Sequence, residues 1–140
     1  MLEKETITRL ITTAMEQRTY AYVPYSDFRV GAAILTKDGN IYTGCNIENS
    51  SYPISMCADR MALFKAVSEG IRDFSAICVV GGKTGEVTDY CTPCGMCRQA
   101  FAEFCHPDEF QIIIAKNTED YQILTLRKLL PLGFGSENLN

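Results

Sequence analysis

Three cysteines, Cys57, Cys94 and Cys97, and one carboxylate, Asp59, carry the chemistry that this sequence offers. Cys94 and Cys97 fall in Pro93-Cys94-Gly95-Met96-Cys97, and Cys57 opens the earlier segment Cys57-Ala58-Asp59-Arg60. On the first turn of a helix, a spacing of three puts two thiols on one face. A helix N-terminus also favours negative charge and lowers thiol pKa values. Two such N-termini aimed at one spot would hold three thiolates around a zinc ion and leave its fourth position for water. Asp59, two residues past the first thiol, is placed to exchange protons with that water. This equipment attacks an electron-poor carbon with a metal-activated water.

Other readings of the same thiols stay open at this level. Cys91 extends the pattern to C-x-x-C-x-x-C, which is similar to iron–sulfur ligation, but the usual fourth cysteine followed by proline is missing and Cys105 lies too far along. Cys91 with Cys57, Cys94 and Cys97 would instead close a four-thiol structural zinc site. Pro93 argues against that closed site, because a proline there suits a helix starting at Cys94. A chain that binds no metal is the third alternative. Cys45 and Cys78 read as buried small side chains, and Cys91 and Cys105 have no assigned role. His106, the one histidine, sits beside Pro107 and Asp108 in an exposed turn, a poor place for a ligand or a base.

The elements that must position these residues follow from periodicity. Leu2, Ile7, Leu10, Ile11, Ala14 and Met15 recur at a helical period, so residues 3–19 are expected to form an amphipathic helix. Residues 21–28 are a loop around Pro24 and Ser26-Asp27. Residues 29–35 and 41–45 form a hairpin across Lys37-Asp38-Gly39-Asn40. A helix is expected from Ser55 or Met56 to Ser68, then a strand over 74–80, a Gly- and Thr-rich loop over 81–93, and a helix from about Cys94 to Cys105. Strands over 110–115 and 121–125, a helical turn over 126–130 and a tail complete the chain. Alternating strands and helices predict an α/β fold, a three-layer α/β/α sandwich on a mixed sheet of about five strands.

The 140 residues suit a single domain, 1–140, and hydrophobic and charged shares of 46% and 21% suit a globular chain. A net charge of −4 argues against a polynucleotide partner, and no apolar run is long enough for a membrane span. Seven cysteines, an odd number, fit reduced thiols better than a disulfide framework. The N-terminus is acidic where a signal peptide is basic, so a cytoplasmic location is expected.

With these residues in place, the chain resembles the small homotetrameric cytidine deaminases, a branch of the zinc deaminases with three-cysteine ligation. Besides the two cysteine segments, Pro24-Tyr25-Ser26-Asp27-Phe28-Arg29-Val30-Gly31-Ala32-Ala33 looks like the family's base-pocket loop and first strand. Gly44-Cys45-Asn46-Ile47-Glu48-Asn49 looks like its ribose-binding segment, and Leu129-Leu130-Pro131-Leu132-Gly133-Phe134 like its C-terminal motif. The resemblance implies that Cys57, Cys94 and Cys97 bind Zn2+, that Phe28 packs on the pyrimidine, and that Asn46 and Glu48 bond the ribose 3′-hydroxyl. It implies that the Ala58 backbone N–H meets the base carbonyl at position 2, and that Tyr52 and Phe134 reach a neighbouring subunit's pocket in a homotetramer. The substrate implied is a free nucleoside, cytidine or deoxycytidine, deaminated to uridine or deoxyuridine in pyrimidine salvage.

Two residues bear on how well this would work. Three thiolates leave a zinc centre negatively charged, which weakens its ability to acidify bound water, and the resemblance implies that Arg60 offsets that charge by hydrogen-bonding ligand sulfur. Arg98 stands as near to Cys97 in sequence. Asp59 occupies the position where the family pattern carries glutamate, and its shorter reach would slow or abolish turnover unless the backbone has moved to compensate. The alternatives are a deaminase of another aminopyrimidine nucleoside, such as an aminonucleoside antibiotic, and a nucleoside-binding zinc protein with impaired catalysis.

Overall fold

A computed structural model describes residues 1–140. Helix α1 (Lys4–Gln17) runs into a turn of 3-10 helix and is followed by the hairpin β1 (Phe28–Thr36) and β2 (Ile41–Cys45). Then come α2 (Ala58–Ser68), β3 (Phe74–Lys83), α3 (Gly95–Phe104), β4 (Gln111–Ala115), β5 (Tyr121–Thr125) and the short α4 (Leu126–Leu129). The five strands form one mixed sheet in the order β2-β1-β3-β4-β5. β3 and β4 are parallel, and the other neighbouring pairs are antiparallel.

The strand alternation assigns each side chain to a face. Ala32, Ile34, Ile77, Val79, Ile112 and Ile114 point to the face covered by α2 and α3. Ala33, Leu35, Ala76, Cys78, Val80 and Ile113 point to the other, where α1 lays down Ile7, Leu10, Ile11 and Ala14. The expected three layers are therefore present. Fully burying an aliphatic side chain of this kind contributes about 1.5–3 kcal/mol, so both faces are substantial cores.

Connectivity explains why the site forms where it does. β2 and β3 are both antiparallel to β1, so they run in the same direction. α2 leaves the end of β2, α3 leaves the end of β3, and both pack on the same face. Two helix N-termini thus open beside each other at the carboxyl ends of these strands, the edge where α/β sheets place their sites.

The structure moves two boundaries by more than a residue or two of fraying. α2 starts at Ala58, not Ser55 or Met56, because Met56 exchanges backbone hydrogen bonds with Ile47 at 2.9 and 3.0 Å and so stays extended. β3 continues through Gly81, Gly82 and Lys83, which pair with Val30, Arg29 and Phe28; the glycines read as loop residues are strand residues. α3 starts where expected, with Cys94 as its N-cap and Pro93 directly before it. No helix is long and apolar enough to cross a membrane.

Candidate active site

Cys57 is the N-cap of α2 and Cys94 the N-cap of α3; both have extended backbone and neither side chain caps its own helix. Cys97 lies one turn into α3 and is fully buried. The Cys57 and Cys94 sulfurs are 3.8 Å apart and those of Cys94 and Cys97 3.6 Å apart. All three sulfurs lie within 4.8 Å of one another, and no fourth cysteine, histidine or carboxylate joins them. Cys91 is outside this group. Its sulfur lies against Gly81, where an added Cβ would come within 2.8 Å of it and 3.1 Å of the Phe28 ring. Burial, with the nearby Asp59 and Cys57 charges behind it, pushes the Cys91 thiol up to about 11.

Electrostatics divides the trio. A hydrogen bond from the Cys97 thiol, with Arg60 and the Cys94 thiol behind it, pulls Cys57 down to about 5 against the opposing effect of burial. Cys97 is pushed up by donating to Cys57 and by burial. Arg60 approaches with Nη2 3.6 Å from the Cys57 sulfur, the contact expected of it. Arg98 behaves differently: it turns away from sulfur and donates to the carbonyls of Pro93 and Leu129.

Asp59 is in the first turn of α2 and 3% exposed. Burial is the main cause of its raised pKa. Its Oδ2 and the Nε of Arg60 are buried without a hydrogen-bond partner. Buried polar atoms are nearly always paired, so an orphaned carboxylate oxygen beside three thiols marks a place for a further group. Three soft sulfurs at two helix N-termini suit zinc, and three ligands leave an open position that a donor or acceptor beside Asp59 would fill.

The remaining candidate residues hold the following positions. Asn46 accepts from Val30 N at 2.9 Å and donates to Phe28 O at 2.8 Å, so its side chain pins the start of β1. Glu48 accepts from the backbone N–H groups of Tyr25 and Ser26 at 3.0 and 3.2 Å and from the Ser26 hydroxyl. That hydroxyl bond is the main cause of its lowered pKa, so Glu48 is a carboxylate. These bonds tie the segment after β2 to the loop that leads into Phe28 at the start of β1, and each acid or amide keeps capacity for a further hydrogen bond. Asp27, in that loop, has φ of 56° and accepts from the Thr84 hydroxyl at 2.6 Å. Asp27 is thus a left-handed non-glycine residue held by a side-chain bond, a feature its sequence did not signal.

Ala58 is fully buried, and its N–H belongs to the unpaired first-turn set of α2. Tyr52 is exposed and meets Tyr25 edge-on at 5.7 Å between centroids. Phe134 is also exposed, well along the chain from the trio, with its carbonyl held by Gln99 at 2.8 Å. His106 lies in a turn, where Nδ1 accepts from Asp108 N at 3.2 Å.

Gly44 was passed over in the sequence and matters here. An added Cβ would sit 2.3 Å from Ala58 O and 2.7 Å from Ala62 N, so β2 and the first turns of α2 touch backbone to backbone. A glycine inside a strand is the signal for such an approach.

The comparisons with known proteins agree with this geometry. A family model described as the cytidine and deoxycytidylate deaminase zinc-binding region matches residues 4–113. A cytidine deaminase of Sporosarcina psychrophila is 47% identical over 134 residues, covering 96% of this chain and 95% of its own length. One from Halalkalibacterium halodurans is 48% identical over 131 residues, covering 94% and 96%. The crystal structure of a Burkholderia pseudomallei cytidine deaminase superposes with a TM-score of 0.81 at 41% identity, covering 90% of this chain and 97% of that one.

Proposed function

This chain belongs to the cytidine and deoxycytidylate deaminase family, and we propose that it deaminates free cytidine and deoxycytidine to the uridine forms with release of ammonia. The observation that carries this reading is the convergence of Cys57, Cys94 and Cys97 beside a buried carboxylate with a free oxygen. Cys57, Cys94 and Cys97 would hold zinc, which when bound would supply an acidified water as the nucleophile for carbon 4.

Asp59 does the proton work. It takes one proton from the attacking water and delivers it to ring nitrogen 3, then takes the water's second proton and delivers it to the departing amine. Its burial and raised pKa suit a group that must hold a proton for part of the cycle. Asp59 stands where the family pattern has glutamate, and its shorter side chain makes this a slow enzyme. Arg60 offsets thiolate charge through its contact with Cys57.

Phe28 packs on the pyrimidine, and the Ala58 N–H donates to the carbonyl at position 2. Asn46 and Glu48 bond the ribose hydroxyl while holding the loop that carries Phe28. Tyr52 and Phe134, both exposed on the isolated chain, complete the pockets of neighbouring subunits in a homotetramer of 140-residue, single-domain chains. Reduced thiols at the metal site suit the cytoplasm, and the reaction suits pyrimidine salvage.

The test is the loss of cytidine absorbance with zinc-loaded protein, alongside the Asp59→Glu and Asp59→Ala variants. Turnover by the wild type or the Glu variant that fails in the Ala variant is the expected result. No turnover in any of the three overturns the deaminase reading. Mass in solution decides the tetramer.

A further inference from the structure

We propose that Arg98 is a positioning residue for the metal site, locking the Pro93–Cys94 peptide to the end of α4 and so fixing where the Cys94 sulfur stands. The proposal rests on the reading of Cys94 as a zinc ligand. Arg98 lies on the first turn of α3, and its backbone N–H closes that turn on Cys94 O at 3.0 Å. Long helical side chains lean toward the helix N-terminus. Arg98 does so, and Nε donates to Pro93 O at 2.7 Å. Nη1 donates at the same distance, 2.7 Å, to Leu129 O, the last residue of α4.

These two bonds answer a specific need. Cys94 is an N-cap whose own side chain makes no capping bond, so nothing on its side chain fixes the turn into α3. Proline fixes its own φ, but the peptide plane between Pro93 and Cys94 can still rotate about Pro93 ψ and Cys94 φ. A hydrogen bond to Pro93 O removes that freedom. The second bond gives the guanidinium a fixed reference, because α4 is itself tied to Phe110 and Pro107 by backbone bonds at 3.1 and 2.9 Å. It also satisfies a C-terminal helix carbonyl with a cation, a favourable placement. The neighbouring Gln99 grips the same C-terminal segment at Phe134 O. A planar fork reaches two carbonyls on different elements at once, and an ammonium point charge does so less well.

The experiment compares zinc affinity, by competition with a chromogenic chelator, and the absorption spectrum of the Co2+-substituted protein for wild type, Arg98→Ala and Arg98→Lys. Loss of a partner that orients a ligand typically weakens metal binding about 10–100-fold. Arg98→Ala is expected to show that loss with shifted cobalt d–d bands, and Arg98→Lys to fall between it and wild type. Arg127→Ala, which removes only the exposed Asp108 contact of α4, is expected to leave both readouts unchanged. Wild-type affinity and spectrum in the Arg98 variants would overturn the proposal. Should Arg98→Ala fail to fold, Arg98→Lys decides by the same two measurements. A wild type that takes up Co2+ without a thiolate charge-transfer band would instead refute Cys94 as a ligand, a separate failure.

Discussion

Asp59→Glu is the perturbation that tests the catalytic reading most directly. The added methylene extends the carboxylate by about 1.5 Å. A misplacement of about 1 Å at a reacting group costs on the order of 100-fold in rate, or about 2.7 kcal/mol at 1.36 kcal/mol per decade. Asp59 is 3% exposed, so the longer side chain must also fit a packed site. Overpacking costs roughly 1–3 kcal/mol, but that cost falls on folding stability, not on the barrier. Oδ2, at the end that would move, is buried without a hydrogen-bond partner and so has none to lose. We therefore expect kcat/KM to rise about 10–100-fold, chiefly in kcat, since the gain is realised in proton transfer. The melting temperature should fall by a few degrees, at roughly 4 °C per kcal/mol for a chain of this size. The assay is loss of cytidine absorbance on proteins with one zinc per chain, beside a thermal melt. An unchanged or lower kcat/KM at full zinc occupancy would refute the reasoning and show a site built around aspartate.

Gly44→Ala should be severely destabilising, on the order of 3 kcal/mol, because the new Cβ meets backbone atoms of Ala58 and Ala62 that cannot rotate away; a wild-type melt and wild-type zinc content would contradict the close contact. Cys91→Ala should keep one zinc per chain, since Cys91 stands outside the thiol cluster; loss of zinc by elemental analysis would revive the closed four-thiol site. Adding Zn2+ to chelator-treated protein should raise the melting temperature, with a stabilisation of about 2.7 kcal/mol when free zinc is a hundred times its Kd. A melt indifferent to zinc would mean the folded chain has no site for it.

Local patterns were legible wherever a single element decides them. The β2 strand begins and ends where its residues indicated, and α1 presents Ile7, Leu10, Ile11 and Ala14 as its period requires. The misses occur where another segment decides. Ser55 and Met56 looked like helix, but Ile47 captures Met56 in a short ladder. Gly81 and Gly82 looked like loop, but β1 is long enough to pair with them. Arg98 has the same proximity to a thiol in sequence as Arg60, and only its side-chain direction, toward Pro93 and Leu129, separates the two. The thiols were readable as donors from type and spacing. Their meeting point depends on two crossovers covering one face of the sheet, and no local pattern encodes that.

Arg60 gives a physical reason why this site needs a cation at its centre. Its Nη2 lies on the Cys57 sulfur while its Nε is buried with no partner. A guanidinium loses hydration when it is buried, and neutral thiols, which are weak acceptors, do not replace it. The Cys57 thiolate does better, and its pull is the first cause of the raised Arg60 pKa. Ionising Cys94 and Cys97 as well would add two negative charges next to the buried Asp59, which no single arginine offsets. A divalent ion drawn to the three sulfurs removes that excess and makes full ionisation favourable. Arg60 then faces a cluster of small negative charge, close enough to hydrogen-bond and polarise the sulfur. The two buried polar atoms without partners, Asp59 Oδ2 and Arg60 Nε, thus both belong to residues whose electrostatics is tied to these thiols, so ionising the thiols around a bound ion would act on both.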